Sequence, residues 1–424
     1  MPPRITRVRW KAAGEIPFGL DFDERTGTFT GEPEEAGEYV IPVSVETNYG
    51  KDTKDVTIII EDSPYSVYAI GSKAATWSGG AEPDEEGFYP IPIPRAYRLT
   101  EHMNGFGAKT AGGAYYFCGV KAIKDSRSGE IGSVISNIST PEIMTIGDKN
   151  VDEVRIASMR NYTYTIRNTT TGKKDSWTYQ GYCMITRYGG NNVQLSASNV
   201  RLYYDYELSG QSGTSWYTDH SIYPGTSKSN LYKLPEARTP LVFLNGGVYM
   251  LFNGGSEVWT LSFDAKGDNK WYLGKKDGLD FTNVKKFFQP YENEKNGACS
   301  AHAPLFSYLS EDNLLDGDEA NFSNGTIKNA WVYMNKAYVQ TDNDNLYEKQ
   351  GTASWNYLGY FDVKKMVTTS VPTAFLLTQD GRLYHKGAAL DGITEKHTLF
   401  TQIFPNSIIH DITYGGNTLT VTKE

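Results

Sequence analysis

The sequence predicts an all-β chain, a small β-sandwich followed by a seven- or eight-bladed β-propeller. Three observations predict it. The composition favours strands and turns, with 30 Tyr and 42 Gly among 424 residues, and aromatic side chains suit a pleated, half-buried surface. A hairpin phrase then recurs. Val371 to Gly387 reads as an apolar run, Ala374 to Leu377, a turn at Gln379-Asp380-Gly381, and a second extended run, Arg382 to His385. Asp-Gly between two such runs signals a hairpin, because a tight primed turn needs a positive φ that Gly tolerates. The phrase stands again upstream as Ala337 to Gly351, with Tyr338-Val339 for Phe375-Leu376, Asp344-Asn345 for the turn and Leu346-Tyr347 for Leu383-Tyr384. Tyr347 and Tyr384 are about 37 residues apart, a spacing typical of one repeated supersecondary unit.

The third observation is a phrase that links the units. Trp271-Tyr272-Leu273-Gly274, then Phe281, Val284, Lys285 and Lys286, is echoed by Trp355, Tyr357-Leu358-Gly359, then Phe361, Val363, Lys364 and Lys365. The two Tyr-Leu-Gly motifs lie about 85 residues apart, two repeat periods. Leu399-Phe400 to Ile408-Ile409 fills the next slot.

Residues 1–62 form the predicted sandwich and 65–424 the propeller, with Asp62-Ser63-Pro64 as a short linker. In the first part, Leu20, Phe22, Phe29, Tyr39, Val43 and Val45 are the expected core, and Tyr39 to Val45 alternates as a strand should. The motifs Gly19-Leu20, Phe22-Asp23, Thr26-Gly27-Thr28, Gly31-Glu32-Pro33 and Ala36-Gly37-Glu38-Tyr39 resemble those of the immunoglobulin-like, cadherin-related modules strung along bacterial surface and phage structural proteins, with Phe18 where the family has a second proline. The resemblance implies a spacer or low-affinity binder without a catalytic group.

Beyond the linker, Tyr65 to Trp77 is expected as the first hairpin of the propeller. Pro83 to Pro94 is expected as an extended loop, since prolines cannot donate to a ladder. Hairpins follow at Ala114 to Ile123, Asn161 to Tyr179, Tyr182 to Leu195, Gly247 to Leu261, Leu305 to Leu315, Ala337, Phe375 and Ile408 to Val421. Ending on a strand suits a ring in which the last strand completes a blade begun at the other end. About 360 residues at about 40 to 50 per unit give seven or eight blades. Thr378-Gln379-Asp380-Gly381-Arg382-Leu383-Tyr384-His385-Lys386-Gly387 is similar to the repeat of the regulator-of-chromosome-condensation type, without that family's Gly-x-x-His before the strand.

Charge and cysteine use bound the function. The net charge of −9 and pI near 5.4 give no overall basic field, so neither nucleic acid nor an anionic membrane surface is an expected partner. Cys118, Cys183 and Cys299 are odd in number and far apart, neither a disulfide framework nor a metal knuckle. The start of the chain is basic but lacks the apolar core of a signal peptide, and no stretch approaches the roughly 20 apolar residues of a membrane span. The expected localisation is therefore a virion or an extracellular surface, reached without a signal peptide in this chain.

Chemistry-bearing patterns are sparse. His102, His220, His302, His385, His397 and His410 form no HExxH and no close pair in sequence. No phosphate-cradling or dinucleotide fingerprint opens a helix, and no cofactor or metal is expected. Asp316-Gly317-Asp318-Glu319 and Asp342-Asn343-Asp344-Asn345 offer oxygens to calcium, but such clusters are ordinary turn formers. Ser209 to Trp216 resembles the Asp-box turn of sialidases, with Gln211 where Asp belongs, and implies a propeller turn rather than an active centre.

The candidate binding segment is Leu202 to Tyr232, where Tyr203, Tyr204, Tyr206, Trp216, Tyr217, Asp219 and Tyr223 stand among Ser, Gly, Thr and Asn. Tyr with small polar residues is what binding loops use, since the rings give large contact area at low entropic cost. The alternative is that these rings only pack blade faces. The expected function is a non-catalytic binding or structural protein of a phage tail or a bacterial surface, carrying host-glycan, receptor-protein or sister-subunit contacts, with self-association left open. A propeller carbohydrate-active enzyme and a purely structural virion subunit are the alternatives.

Overall fold

The computed structural model describes residues 8–424 except 15, 18, 32, 34–35, 103–104, 124–133, 147, 168–173, 189–191, 207–212, 219–230, 234–240, 245–246, 253–254, 265–269, 288–307, 313, 316–317, 320–321, 334–335, 351–353 and 369–372. The N-terminal module comprises β1 (Val8–Ala12), β2 (Leu20–Asp23), β3 (Thr28–Gly31), β4 (Gly37–Thr47) and β5 (Gly50–Ile60). Strands β1, β4 and β5 form an antiparallel sheet, and β2 and β3 a hairpin. The Thr-Gly-Thr turn has a local cause. Asp23 Oδ1 accepts the amides of Arg25 and Thr26, at 2.7 and 3.3 Å, and Gly27, at φ 74°, lies where a Cβ would stand 2.6 Å from the Trp10 ring. Phe22 and Phe29 pack across the hairpin with centroids 4.8 Å apart. The expected core residues are only half-buried, and the fully buried apolar side chain is Ile41, on the same face of β4 as Tyr39, Val43 and Val45. A module of this size has too little chain to bury its whole apolar face.

Asp62-Ser63-Pro64 is not a slack tether. Ser63 is fully buried. Its hydroxyl donates to Ala96 O at 3.0 Å and accepts the Tyr65 amide at 3.3 Å.

The remaining strands build seven sheets of four or more strands among the described residues. β6 (Ser66–Gly71) and β7 (Tyr89–Pro90) flank a helical turn, α1 (Ala74–Trp77). Blade 2 is β8 (Ala96–His102), β9 (Gly105–Thr110), β10 (Tyr115–Ile123) and β11 (Val134–Ile143). After a short β12 (Thr145–Ile146), blade 3 is built on β13 (Lys149–Arg167), β14 (Lys174–Tyr188) and β15 (Asn192–Tyr206), with β16 (Gly213–Thr218) and β17 (Leu231–Lys233) both paired to β15. Blade 4 is β18 (Leu241–Leu244), β19 (Gly247–Phe252), β20 (Glu257–Asp264) and β21 (Lys270–Lys275). Blade 5 is β22 (Val284–Phe287), β23 (Tyr308–Ser310), β24 (Leu314–Leu315) and β25 (Asp318–Glu319). Blade 6 is β26 (Ile327–Tyr333), β27 (Lys336–Thr341), β28 (Asn345–Gln350) and β29 (Ser354–Tyr360). Blade 7 is β30 (Val363–Thr368), β31 (Thr373–Thr378), β32 (Leu383–Gly387) and β33 (His397–Ile403).

β34 (Ile409–Gly415) and β35 (Thr418–Lys423) close the ring. They complete blade 1 in the order β34-β35-β6-β7, with Thr418 opposite Gly71 and Lys423 opposite Ser66. The fold is thus all-β, an immunoglobulin-like module followed by a β-propeller whose last hairpin pairs with its first strand. Closure leaves the ring without a free edge between its ends. Apolar clusters cement successive blades: Phe375, Ile412 and Leu419 join blades 7 and 1, Val67, Leu99 and Phe106 join blades 1 and 2, and Tyr338, Leu346 and Leu376 join blades 6 and 7.

Three local expectations change. Ala114 to Ile123 is no hairpin but the single strand β10, paired back on β9 through the turn at Thr110 to Ala114. Tyr65 to Trp77 is no hairpin: its strand pairs with β35, and Ala74 to Trp77 turn helically. Within Pro83 to Pro94, Tyr89–Pro90 does join a ladder as the edge strand of blade 1, where proline's missing donor is harmless. No helix among the described residues is long and apolar enough to cross a membrane.

The hairpin phrase proves to be a hydroxyl lock. At Thr110, Ser310, Thr341 and Thr378, the amide four residues on donates to the side-chain oxygen, at 3.1, 3.1, 3.3 and 3.1 Å. Thr378 Oγ1 also reaches Arg382 O at 3.0 Å and Asp380 Oδ1 at 2.6 Å. The residue at positive φ is Gly113, Asp344 or Gly381 in turn. Sequence comparison caught only the two turns rich in Asp. Thr378→Ala should cost about 1 kcal/mol in denaturant unfolding, the worth of a satisfied hydroxyl; an unchanged midpoint would show the lock to be idle.

Candidate functional site

The innermost strand of most blades shares one four-residue pattern, a buried or half-buried apolar residue, two polar residues and a second apolar one. It reads Ala96-Tyr97-Arg98-Leu99 on β8, Val151-Asp152-Glu153-Val154 on β13, Val284-Lys285-Lys286-Phe287 on β22, Ile327-Lys328-Asn329-Ala330 on β26, Val363-Lys364-Lys365-Met366 on β30 and Ile409-His410-Asp411-Ile412 on β34. The register slips at the second position every time, so Tyr97, Asp152, Lys285, Lys328, Lys364 and His410 are bulge residues. A bulge turns two consecutive side chains off the blade face, which is how both polar residues escape the interblade core.

Side-chain bonds put Lys365 and Asp411 at the propeller axis. Lys365 Nζ, on blade 7, donates to Asp411 Oδ1 on blade 1 at 2.7 Å and to Leu99 O on blade 2 at 3.1 Å. Blades 7 and 2 are not neighbours in the ring, so one side chain can bridge them only near the centre. Asp411 also accepts the Leu99 and Ile412 amides, at 2.6 and 2.8 Å. The other inner strands interlock likewise. Lys285 Nζ donates to Ile327 O at 3.4 Å, Lys286 Nζ to Asn329 Oδ1, and Lys328 Nζ pairs with Asp344 at 2.7 Å and Asp362 at 3.6 Å.

The inner strands of blades 5, 6 and 7 are rich in ammonium groups although the chain is acidic overall. Lys286 is open to solvent yet hemmed in by protein, and burial with the Lys328 charge lowers its pKa to about 8. The Asp344 hydrogen bond holds Lys328 above the usual lysine value. His410 stacks on Tyr65 with ring centroids 3.5 Å apart, and burial with the Lys364 charge lowers its pKa. Four carboxylates of the inner strands and adjoining turns pair with lysines, Asp411 with Lys365, Asp344 and Asp362 with Lys328, and Asp152 with Lys109 at 3.8 Å.

The candidate binding residues lie elsewhere, on blade 3. Its strands run 19, 15 and 15 residues, about three times an ordinary strand. Register shifts at Met159/Tyr162 and Gln180/Tyr182 divide them into two halves. The half that carries Val151 to Val154 adds β17 and is an ordinary four-stranded blade. The distal half adds β16 and makes a second four-stranded sheet, β13 to β16. Six further residues carry it about 20 Å further along the strand direction at a strand's rise per residue.

Tyr203, Tyr204, Tyr206, Trp216 and Tyr217 all fall in this distal sheet, not in a loop as the composition suggested. Tyr203 stands opposite Trp216, Leu202 opposite Tyr217, and Tyr204 opposite both Trp177 and Ser215. Aromatic residues favour cross-strand pairing, which outweighs the loop character of the Ser and Gly around them. Asp219 and Tyr223, residues 209–212 of the Asp-box-like segment, His220, His302 and Cys299 lie outside the described residues, while Gly213 to Trp216 of that segment belong to β16. Of the acidic clusters, Asp316-Gly317 also lies outside, and Asp344 serves as a salt-bridge and turn residue.

Two histidines distant in sequence meet within blade 7, against the expectation of no close pair. The β32–β33 ladder sets Gly387 opposite His397, and His385 Nδ1 lies 2.8 Å from His397 Nδ1. Among the described residues no three His, Cys, Asp or Glu side chains gather as metal ligands. Burial of Cys118 lifts its thiol to about 12, well out of range for a thiolate nucleophile.

Comparison with known proteins bears on both parts. Residues 4–61 match the family model described as "Putative Ig domain". No curated protein matches the sequence. Among solved structures, yeast RCC1 (Prp20) bound to Kap60 is similar at 12% identity with a TM-score of 0.46, over 85% of this chain and 90% of that one. Prp20p from Saccharomyces cerevisiae, described with its binding to Gsp1p and histones, is similar at 8% identity with a TM-score of 0.37, over 86% and 92%. A quinonprotein alcohol dehydrogenase-like protein from Bacteroides thetaiotaomicron follows at 9% identity with a TM-score of 0.24, over 98% and 90%. The propeller assignment stands on the strand order and closure described above.

Proposed function

We propose that this chain is a non-catalytic binding protein, a propeller platform spaced by its immunoglobulin-like module and contacting a host-surface glycan or receptor protein through the distal sheet of blade 3. One observation carries the reading. Tyr203, Tyr204, Tyr206, Trp216 and Tyr217, singled out by composition alone, fall together on a sheet that extends beyond the blade. Aromatic rings in such a place offer stacking area to sugar rings or to protein side chains. A glycosidase needs two carboxylates facing a sugar, whereas Asp411, Asp344 and Asp362 serve as lysine partners, which favours this reading over hydrolysis. The module's likeness to those of phage and bacterial surface proteins supports a place on a virion, in a tail or receptor-binding part, or on a cell surface.

The test is retention of the purified chain on a panel of bacterial envelope polysaccharides, with released reducing ends assayed in the same tubes. Retention without release is expected, falling at least tenfold when Trp216 and Tyr217 are changed to Ala. Sugar release would replace the reading with an enzymatic one. Absence of retention on every polymer would leave protein contact or a purely structural role in an assembly.

A further inference from the structure

The distal sheet of blade 3 has two unlike faces. Residues directly opposite in a ladder share a face, as do residues two apart along a strand. On one face Tyr162 stands opposite Tyr179 and Tyr164 opposite Trp177, across β13 and β14. Tyr179 in turn stands opposite Leu202 and Trp177 opposite Tyr204, and Leu202 opposite Tyr217 on β16. Ile166 and Tyr206 lie one step further along the same face, where Asp175, opposite Ile166, is the one charged position. The other face carries hydroxyls, as in the row Thr165, Ser176, Asp205 and Thr214, the charges of Lys174 and Arg201, and one aromatic pair, Tyr203 opposite Trp216. Apolar residues on one side and polar ones on the other mark a sheet with one covered face. The alternation holds in β13, β14 and β15 together, so one side of the extension is patterned for burial.

The chain itself offers little to lie there. Among the described residues every strand belongs to a blade, to this extension or to the N-terminal module, so no spare strand forms an inner layer against it. The connecting segments 168–173 and 207–212 read Asn-Thr-Thr-Thr-Gly-Lys and Glu-Leu-Ser-Gly-Gln-Ser, and 219–230 holds Ile222, Tyr223 and Pro224 as its apolar residues, too few to match the face.

Size and charge select the occupant. The aromatic positions of this face, at about 100 Å² each, roughly half of what a ring buries in a core, come to about 700 Å², near the roughly 800 Å² per partner of a stable interface. Monomers seldom leave so large a patch open, and a single glycan strand would cover only a track across it. A nearly uncharged face also has no like charges to hold off its own copy, although the chain carries a net charge of −9.

We propose that the aromatic face of the distal sheet pairs with the same face of a second copy of this chain, two four-stranded sheets closing into a sandwich about 10 Å thick. The contact is isologous, and a two-fold axis crossing the strands sets the two Asp175 positions, and the two propellers, at opposite ends of the pair. The face that holds Tyr203 and Trp216 remains open to the ligand of the proposed function. Pairing does not depend on that ligand.

Sedimentation equilibrium of the full chain at micromolar concentration is expected to give twice the monomer mass of 47.3 kDa. Trp177→Glu and Tyr204→Glu put a carboxylate at the centre of the face on two different strands, and each should weaken dimerisation at least a hundredfold, since like charges meet across the axis. Thr178→Glu, one residue on and therefore on the other face, should leave the dimer intact. Each variant is checked for a native circular dichroism spectrum, and Tyr217→Glu on the edge strand β16 serves where a central carboxylate prevents folding. A monomeric native chain, a dimer unmoved by the folded face variants, or equal weakening by Thr178→Glu would overturn the pairing. A monomer held by an envelope polysaccharide and released by Trp177→Glu would overturn it in favour of a glycan on the same face.

Discussion

Replacing Asp411 by Ala should lower stability by about 3 kcal/mol, the largest effect expected of any single axial residue. The carboxylate is buried, with its side chain 11% exposed, and joins three blades through Lys365, the Leu99 amide and the Ile412 amide. Removing it strands the Leu99 and Ile412 donors and leaves an ammonium near the axis without its counter-charge, the situation in which buried pairs are costly to break. Lys365 keeps a third of its surface, 34%, in contact with solvent, which places the expectation at the low end of the range. The double variant Asp411→Ala, Lys365→Met should recover part of the loss, because the orphaned charge goes too. Urea unfolding of both single variants, the double variant and the native chain checks this. A double variant as unstable as the sum of the singles would mean that the pair does not act as a unit.

The second large effect concerns pH. His385 is fully buried, and burial with the neighbouring His397 lowers its pKa from 6.5 to about 4. Its Nε2 has no hydrogen-bond partner among the described residues. The unfolded chain therefore binds a proton more readily than the folded one. Between pH 6.5 and 4 the unfolded state holds more protons, so stability falls as pH falls through that window and is fully present above it. The shift corresponds to about 3 kcal/mol. Unfolding free energies measured at pH 7 and pH 4 should differ by that much less in His385→Gln than in the native chain. Equal differences would mean that His385 is protonated while folded.

The parts of the fold legible in the sequence were those written in turn chemistry. Asp380-Gly381 and Asp344-Asn345 marked their hairpins because a positive φ is needed there. Thr110 and Ser310 make the same lock with Gly-Gly and Asp-Asn turns, and no single pattern of letters joins the four. The echo of Val284-Lys285-Lys286 in Val363-Lys364-Lys365 was visible, but its meaning was not. A bulge is a property of register between two strands, and register leaves little trace in one strand's composition. Ile409-His410-Asp411 and Ala96-Tyr97-Arg98 belong to the same series with different residues, so the axial ring appears only once the strands are paired. The His385–His397 contact was hidden for the same reason, since a cross-strand ladder brings the two rings together. Conversely, Tyr203, Tyr204, Tyr206, Trp216 and Tyr217 stood out by composition, while their place in strands was masked by the Ser and Gly around them.

Blade 3 reaches its far end without a joint. Three of its strands pass from the blade into the distal sheet as unbroken backbone, with only a bulge in each ladder to mark the boundary. A separate domain on a flexible tether would swing freely and absorb a pull at its tip. Here a force on the outer aromatic residues travels along β13, β14 and β15 into the ring, where it works against the interblade clusters and the paired ends of β6 and β35. The extension is therefore a lever on a closed hoop, and a load at its tip acts on the whole propeller.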